Sequence, residues 1–345
     1  MKPHPLLAPL SPFYRTGVAL RNWLFDAGIL SAARVSCKVI SVGNISAGGT
    51  GKTPFVIWLA DWFKRKRYRV GVLGRGYKRS SEGYLLVSDG KKLLVSAREA
   101  GDEPTEVAET LSGVVVAVDE DRVHGANRLL QNHRIEVLLL DDGFQHRAIH
   151  RDLNIVIFPA DELEGPNLLL PAGFYREPLS NLKRANLIVL SRCNDGTALD
   201  EAKRLFGIEK PIVGVKTVIT GLRALSGRMR NTVRNVRGRK VLALSGIGNP
   251  VSFQRTLLDA GVQVLAHEVF PDHHWYSLDE IEAIASKAEV AGADMIITTS
   301  KDAVRLKGLP IIKKKMRPEI FVTETRQEIV AGKRLLERML MSLVH

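Results

Sequence analysis

Cysteine is scarce in this chain. Its two cysteines, Cys37 and Cys193, stand far apart, with no CxxC spacing and no histidine cluster beside them. That pattern argues against a disulfide framework and a structural zinc site and fits a reducing cytosol. Long apolar runs are missing too: nothing approaches the roughly 18 uninterrupted apolar residues of a spanning helix. The start, MKPHPLLAPLSPFY, lacks the apolar core and small-residue cleavage site of a secretory leader, so a soluble or peripheral protein is expected. Absent as well are an internal repeat, a low-complexity tract and the Asn-Lys-x-Asp signature for guanine, which counts against a GTP-dependent switch.

What is present suffices for large cores. The chain has 345 residues, 45% apolar and 25% charged, about two domains by the usual size prior. A formal charge of +13 and a pI near 9.8 call for an anionic partner: nucleic acid, an acidic membrane surface or a phosphorylated substrate. The Arg-rich interval Arg223 to Lys240 raises the rival of a nucleic-acid-binding P-loop ATPase. No aromatic stacking motif accompanies those arginines, so a solvated basic face accounts for them better.

Short β-rich runs recur with helix-like stretches between them: Lys38 to Val42, Arg69 to Leu73, Val114 to Val118, Val137 to Leu140, Asn154 to Phe158 and Leu187 to Leu190. Such runs read as buried parallel strands. A second series follows at Ile212 to Val215, Val241 to Leu244, Val262 to Val264 and Met295 to Thr298. The expected class is therefore α/β, a doubly wound, mainly parallel sheet with a second, smaller α/β domain. The boundary falls near residues 205 to 215, giving domains over 1–210 and 211–325. Ile329, Leu336, Leu340 and Leu343 predict a closing helix over Gln327 to Val344, within 326–345. An N-terminal amphipathic helix is expected over about 12–30, with Phe13, Gly17, Leu20, Leu24 and Ala27 on one face. Its plain reading is a helix packed on the core by that stripe; a membrane-surface helix is the alternative.

The chemistry concentrates in SVGNISAGGTGKTPF, Ser41 to Phe55. Gly51-Lys52-Thr53 supply the end of the phosphate-loop pattern G-x-x-x-x-G-K-[ST], while Ser46 stands where its first glycine belongs. Through Ser46, Ala47, Gly48, Gly49, Thr50, Gly51, Lys52 and Thr53 the loop can still cradle phosphate. Gly48, Gly49 and Gly51 permit positive φ and close backbone approach, Lys52 adds a point charge, and Thr53 offers a hydroxyl for Mg²⁺. The apolar strand before the loop and the helix candidate Pro54 to Arg65 after it supply the context a nucleotide loop needs.

A Mg²⁺-nucleotide site also needs a carboxylate at a strand end. Asp141 and Asp142 follow Val137 to Leu140 directly, and either suits the metal. Three further polar clusters, GDEP (Gly101 to Pro104), DRV (Asp121 to Val123) and FPDHHWY (Phe270 to Tyr276), offer Asp102 and His273 as acid/base candidates and Arg122 as a phosphate clamp. Taken singly, each reads as well as a solvated turn or cap.

Read together and in order, these motifs resemble a known family. SVGNISAGGTGKTP, GRGYKR (Gly74 to Arg79), GDEP, DRV, DDGFQHR, LPAGFYREP (Leu170 to Pro178), SGIGNP (Ser245 to Pro250), FPDHHWY and TTSKDAVRL (Thr298 to Leu306) are similar to those of the tetraacyldisaccharide 4'-kinases of lipid A synthesis. In that family a serine or threonine is usual at Ser46. The resemblance implies transfer of the ATP γ-phosphate to the 4'-hydroxyl of a tetraacylated glucosamine disaccharide 1-phosphate, giving lipid IVA, with Mg²⁺. It also implies a P-loop fold, a second domain closing over the nucleotide, and an N-terminal helix on the cytoplasmic face of the inner membrane.

Carried over by motif, Lys52 and Thr53 take phosphate and metal roles, and Asp141 and Asp142 are the metal-side carboxylates. Asp102 is the catalytic base, His273 its partner in preference to His274, Arg122 a catalytic arginine and Glu177 a further functional acid. Arg15 and Arg21 would draw anionic lipid and the substrate's 1-phosphate. The chain departs from the family at Pro166, Phe174 and Tyr175, where glycine, proline and leucine are commoner, and at Ser300, where glutamate is usual.

Overall fold

The valine-, isoleucine- and leucine-rich runs form strands buried on both faces, as a parallel sheet covered by helices requires. The computed structural model describes residues 5–165, 167–207, 209–227, 230–310 and 317–344. Its strands are β1 (Lys38–Gly43), β2 (Val70–Gly74), β3 (Leu85–Ser88), β4 (Val115–Val118), β5 (Val137–Asp141), β6 (Leu153–Pro159), β7 (Leu187–Ser191), β8 (Ile212–Ala224), β9 (Arg230–Thr232), β10 (Lys240–Ser245), β11 (Gln263–Val269), β12 (Met295–Thr298) and β13 (Ile320–Ala331). Its helices are α1 (Ser11–Asp26), α2 (Lys52–Arg65), α3 (Ala97–Ala100), α4 (Asp102–Thr110), α5 (Arg122–Asn132), α6 (Thr197–Phe206), α7 (Val233–Val236), α8 (Pro250–Asp259), α9 (Leu278–Val290), α10 (Ser300–Leu306) and α11 (Lys333–Val344).

Among the described residues one sheet runs in the order β11-β10-β12-β13-β8-β7-β6-β1-β5-β2-β4-β3, with β9 beside β8. β1 lies between β5 and β6, parallel to both, so the phosphate loop leaves the sheet where the winding reverses, the usual crevice for a ligand. The long strand β8 starts beside β7, pairing Ile188 with Ile212. It then continues as an antiparallel ribbon with β13 that ends at Ala224 opposite Phe321. That ribbon joins a first half, built on β1 to β7, to a second half, built on β10 to β12.

Phe55, Val56, Leu59, Ala60 and Phe63 of α2 are fully buried at i, i+1, i+4, i+5 and i+8. Each large side chain contributes about 1.5–3 kcal/mol by leaving water, which fixes the helix that starts at the phosphate loop. Leu336 and Leu340 of α11 pack into the same core, with Val189, Val213 and Val215.

Two expectations need correction. The closing helix starts at Lys333, not Gln327: residues to Ala331 belong to β13, whose backbone pairs with β8, and Gly332 turns the chain at a φ of +78°. α1 docks by its polar face rather than by the apolar stripe. The Tyr14 hydroxyl donates to the Arg176 carbonyl (3.0 Å), the Asn22 amide to Glu177 (3.2 Å), and Arg147 to Asp26 (2.6 Å). Phe13, Leu20 and Trp23 stay outside at 77%, 55% and 56% exposure, alongside exposed Leu6, Leu10, Ile29 and Leu30.

Candidate active site

The loop between β1 and α2 is held from both sides. Ser46 pairs antiparallel with Tyr175, the Ala47 N–H donates to the Phe174 carbonyl (2.7 Å), and the Arg176 N–H donates to the Ile45 carbonyl (2.7 Å). A serine thus replaces the pattern's first glycine because this position is a short strand, tied through backbone groups to the GFYREP segment. Phe174 and Tyr175 hold the loop by main chain, the Tyr175 ring packing into the core beside Phe158, and Pro166 lies outside the described residues. Gly48 (φ +116°) and Gly51 (φ +89°) take the left-handed conformations that favour glycine. Gly49 lies against the SGIGNP segment: a Cβ on it would stand 3.3 Å from the Asn249 nitrogen, and a Cβ on Gly248 would stand 2.8 Å from the Gly49 nitrogen. The free N–H groups at the start of α2 add a positive helix end to the Lys52 charge.

At the end of β5 the two aspartates differ sharply. Asp141 is buried, accepts a hydrogen bond from the Thr53 hydroxyl on Oδ2 (3.0 Å), and has no partner for Oδ1. Burial and the nearby Glu103 push its carboxyl up to about 7. Asp142 sits at a φ of +54°, 3.6 Å from Lys52 and bonded twice by Arg176 (2.9 and 3.1 Å). Burial opposes its charge, but Lys52 and Arg176 outweigh that and hold it well below the carboxylate range. A buried, uncompensated acceptor beside a Thr hydroxyl fits a hard cation shared with phosphate oxygens. Among the described residues no cluster of three or more His, Cys, Asp or Glu forms a metal site by itself.

The first and second halves meet at Asp102. Its carboxylate, 4% exposed, lies 2.9 and 3.1 Å from His273 Nδ1, 3.7 Å from Arg305 Nε and 3.9 Å from Lys301 Nζ. Burial works against ionisation of Asp102; the His273 bond, Lys301 and Arg305 overcome it and lower its pKa. His274 points elsewhere, to Glu280 at 3.0 Å and onto the Phe270 ring. Arg305, fully buried, is fixed by Asp302 (2.6 Å) and the Gly246 carbonyl (2.9 Å), and the Tyr276 hydroxyl donates to the same Asp302 oxygen (2.7 Å).

Two cavities flank this junction. One, of about 210 Å³, runs from Gly48–Pro54 to Ile219, Phe253, Ser300 and Thr325; the other, of about 630 Å³, is lined by Arg75, Tyr77, Lys78, Asp142, His146, Arg176 and His273. The imidazole, rather than the Asp102 carboxylate beneath it, lines the larger cavity.

Of the other predicted residues, Arg122 is buried behind Asp141 and Asp142, donating to the Asp119 carbonyl with Nε and one terminal nitrogen unpartnered. Burial draws it down to about 10 against the pull of those two carboxylates. Glu177 is not brought to the cleft. Wholly buried, it accepts from Arg184 (2.5 Å), Asn181 (2.7 Å) and Asn22, with Arg21 at 3.6 Å, and so ties α1 to the first half. That also commits Arg21, leaving Arg15 the freer cation of the helix. Ser300 donates to the Thr323 carbonyl (3.1 Å) on the wall of the smaller cavity. Sequence reading passed over Arg176, Glu103 and Lys301, although each stands inside a motif it had singled out.

A phosphate loop on a parallel sheet, a strand-end carboxylate pair and a hydrogen-bonded Asp102–His273 pair beside a second cavity are the parts of a P-loop phosphotransferase. The family model described as tetraacyldisaccharide-1-P 4'-kinase (LpxK) matches residues 3–344, and the chain belongs to that family. Curated relatives named tetraacyldisaccharide 4'-kinase include that of Anaeromyxobacter dehalogenans strain 2CP-C, 38% identical over 97% of this chain and 89% of its own. That of Chlorobium limicola is 40% identical over 88% of this chain and 87% of its own. The crystal structure of "apo" form LpxK from Aquifex aeolicus in complex with ATP is similar, at a TM-score of 0.77 and 34% identity over 98% of both chains. This is a family of kinases, and the nucleic-acid-binding ATPase read from the charge is set aside.

Proposed function

We propose that this kinase transfers the γ-phosphoryl group of ATP to the 4'-hydroxyl of a tetraacylated glucosamine disaccharide 1-phosphate, giving lipid IVA. The observation that carries the reading is the Asp102–His273 pair at the mouth of the phosphate loop. The loop N–H groups, Lys52 and the α2 end bind the polyphosphate. Thr53 and Asp141, with Asp142 behind Lys52, would hold Mg²⁺, which when bound neutralises phosphate charge. Arg176 and Arg122 stabilise the carboxylate side of the site, and Arg75 and Lys78 face the incoming anionic sugar.

The hydroxyl proton goes to the His273–Asp102 pair as a unit. With Nδ1–H donated to Asp102, Nε2 is left as the acceptor, and the depressed Asp102 stays ionised to balance an imidazolium. Closure of the second half over the loop excludes the water that would otherwise take the phosphoryl group.

The acceptor is lipid, and α1 supplies the docking face. Among the described residues no helix is long and apolar enough to cross a membrane. Exposed Phe13, Leu20 and Trp23 suit insertion at the cytoplasmic face of the inner membrane, with Arg15 beside anionic headgroups. The test is gamma-labelled ATP with the purified disaccharide 1-phosphate: a 4'-phosphorylated product is expected, and its absence while ATP is hydrolysed freely would sink the acceptor assignment. Phe13→Ser with Trp23→Ser should abolish sedimentation with anionic vesicles without lowering the melting temperature.

A further inference from the structure

Lys301 stands at the start of α10, on the second half, behind the N-cap Thr299. Its ammonium lies 3.2 Å from Glu103, 3.5 Å from Asp272, 3.9 Å from Asp102 and 3.4 Å from His273 Nε2. Gly48, Gly49, Lys52, Glu103 and Lys301 line both the smaller and the larger cavity. A group passing from one cavity to the other crosses between these five residues. Two of them are cations: Lys52 comes from the phosphate loop, Lys301 from the opposite half.

We propose that Lys301 is a second catalytic cation, carried to the phosphoryl group by the second half, with Glu103 as the partner that holds it until phosphate oxygens replace the carboxylate. The inference rests on the phosphotransferase reading above. In the transfer, the bond from the γ-phosphorus to the β–γ bridging oxygen breaks and its electron pair stays on the departing diphosphate. The 4'-oxygen bonds to phosphorus, and its proton goes to the His273–Asp102 pair. Lys301 forms no covalent bond; it faces the equatorial oxygens where charge is spread. Surrounding carboxylates outweigh burial and keep the ammonium protonated, so the cation is available throughout the neutral range. Its place on the second half makes charge stabilisation conditional on closure, which protects ATP from water while the cleft is open.

The experiment compares Lys301→Met, Lys301→Gln, Lys301→Arg and Lys307→Met in the full chain. Lys307, just past the end of α10, pairs with Glu109 of α4 but lines neither cavity. The expected result is a fall in kcat of roughly 100- to 1,000-fold for the neutral Lys301 variants, with ADP affinity within about threefold. Arginine should restore at least about tenfold, and Lys307→Met should stay within about threefold of wild type. Acceptor-independent ATP hydrolysis should fall in parallel, because water attack meets the same phosphoryl charge. Equal losses in Lys301→Gln and Lys307→Met would reduce Lys301 to a strut between helices. Unchanged hydrolysis would mean that it acts only through His273, and either result overturns the proposal. If wild type fails to phosphorylate the lipid yet Lys301→Gln still lowers hydrolysis, the acceptor assignment fails and the Lys301 role stands.

Discussion

His273 Nδ1 meets Asp102 Oδ2 at 2.9 Å across 171 residues of sequence, and His273 holds a left-handed φ of +66° to do so. A non-glycine residue in that region costs about 1–2 kcal/mol, so the surrounding packing is what keeps the pair together. Asp102→Asn and His273→Ala should each lower kcat by roughly 100- to 10,000-fold while ADP affinity holds. Because the two act as one unit, the double variant should be no worse than the poorer single. Steady-state kinetics decide it: losses that add would break the pair apart.

Gly248→Ala tests how the halves close. Its Cβ would stand 2.8 Å from the Gly49 nitrogen and 3.1 Å from Asp272 Oδ2, so one backbone must retreat. Weaker ATP binding and a lower kcat are expected. The melting temperature should move by only a few degrees, since Gly248 lies on the β10–α8 loop facing the phosphate loop rather than within either core. Unaltered nucleotide affinity by calorimetry would refute the contact's importance.

Glu177→Gln separates anchor from catalyst. Removing one charge from a buried pair costs about 3–5 kcal/mol, and here it strands Arg184 and loosens α1. Denaturant unfolding should show that loss, whereas kcat per folded molecule in detergent-solubilised substrate should hold within about fivefold. A larger kcat loss in a stably folded variant would restore Glu177 as a functional acid.

The carboxyls beside the loop predict a pH signature. Asp141 is raised to about 7, and Glu106, chiefly through burial, to about 8, both above their unfolded values near 4. Stability from such groups is fully present below the unfolded pKa and is lost as pH rises through the folded values. The ligand-free protein should therefore lose melting temperature from about pH 4 to about pH 8 and level off above that, with Asp141→Asn flattening the slope below about pH 7 and Glu106→Gln flattening it up to about pH 8. Asp102, depressed, works the other way, its contribution vanishing as pH falls through its folded pKa. Scanning calorimetry of the variants against wild type measures each difference; parallel curves would contradict the assignment.

The phosphate loop was legible because everything it needs is local: strand, three glycines, Lys52, Thr53 and a helix all lie between Lys38 and Arg65. The parallel strands were legible because burial on both faces writes unbroken apolar runs. β13 was not, since Ile329 shares a helical spacing with Leu336 and Leu340, and only the long free edge of β8 tells the chain to stay extended there. Its run of aromatic and β-branched residues, Phe321, Val322, Thr323 and Thr325, was the available signal. Lys301 was hidden for a different reason: its meaning comes from Glu103, 198 residues away, and no spacing encodes that. The N-terminal helix shows a limit of periodicity itself, because an apolar stripe names a face to be covered without saying whether protein or lipid covers it.

The ribbon of β8 and β13 has one more consequence. The chain leaves the first half along β8 and returns along β13, with Val215 opposite Ile329, before α11 seals the core through Leu336 and Leu340. The second half is thus a guest whose two ends sit side by side in a host assembled from both ends of the chain. Truncation after residue 210 would strip the host of its own last helix, whereas excision at the Val215–Ile329 seam, bridged by a short turn, leaves every buried host residue in place.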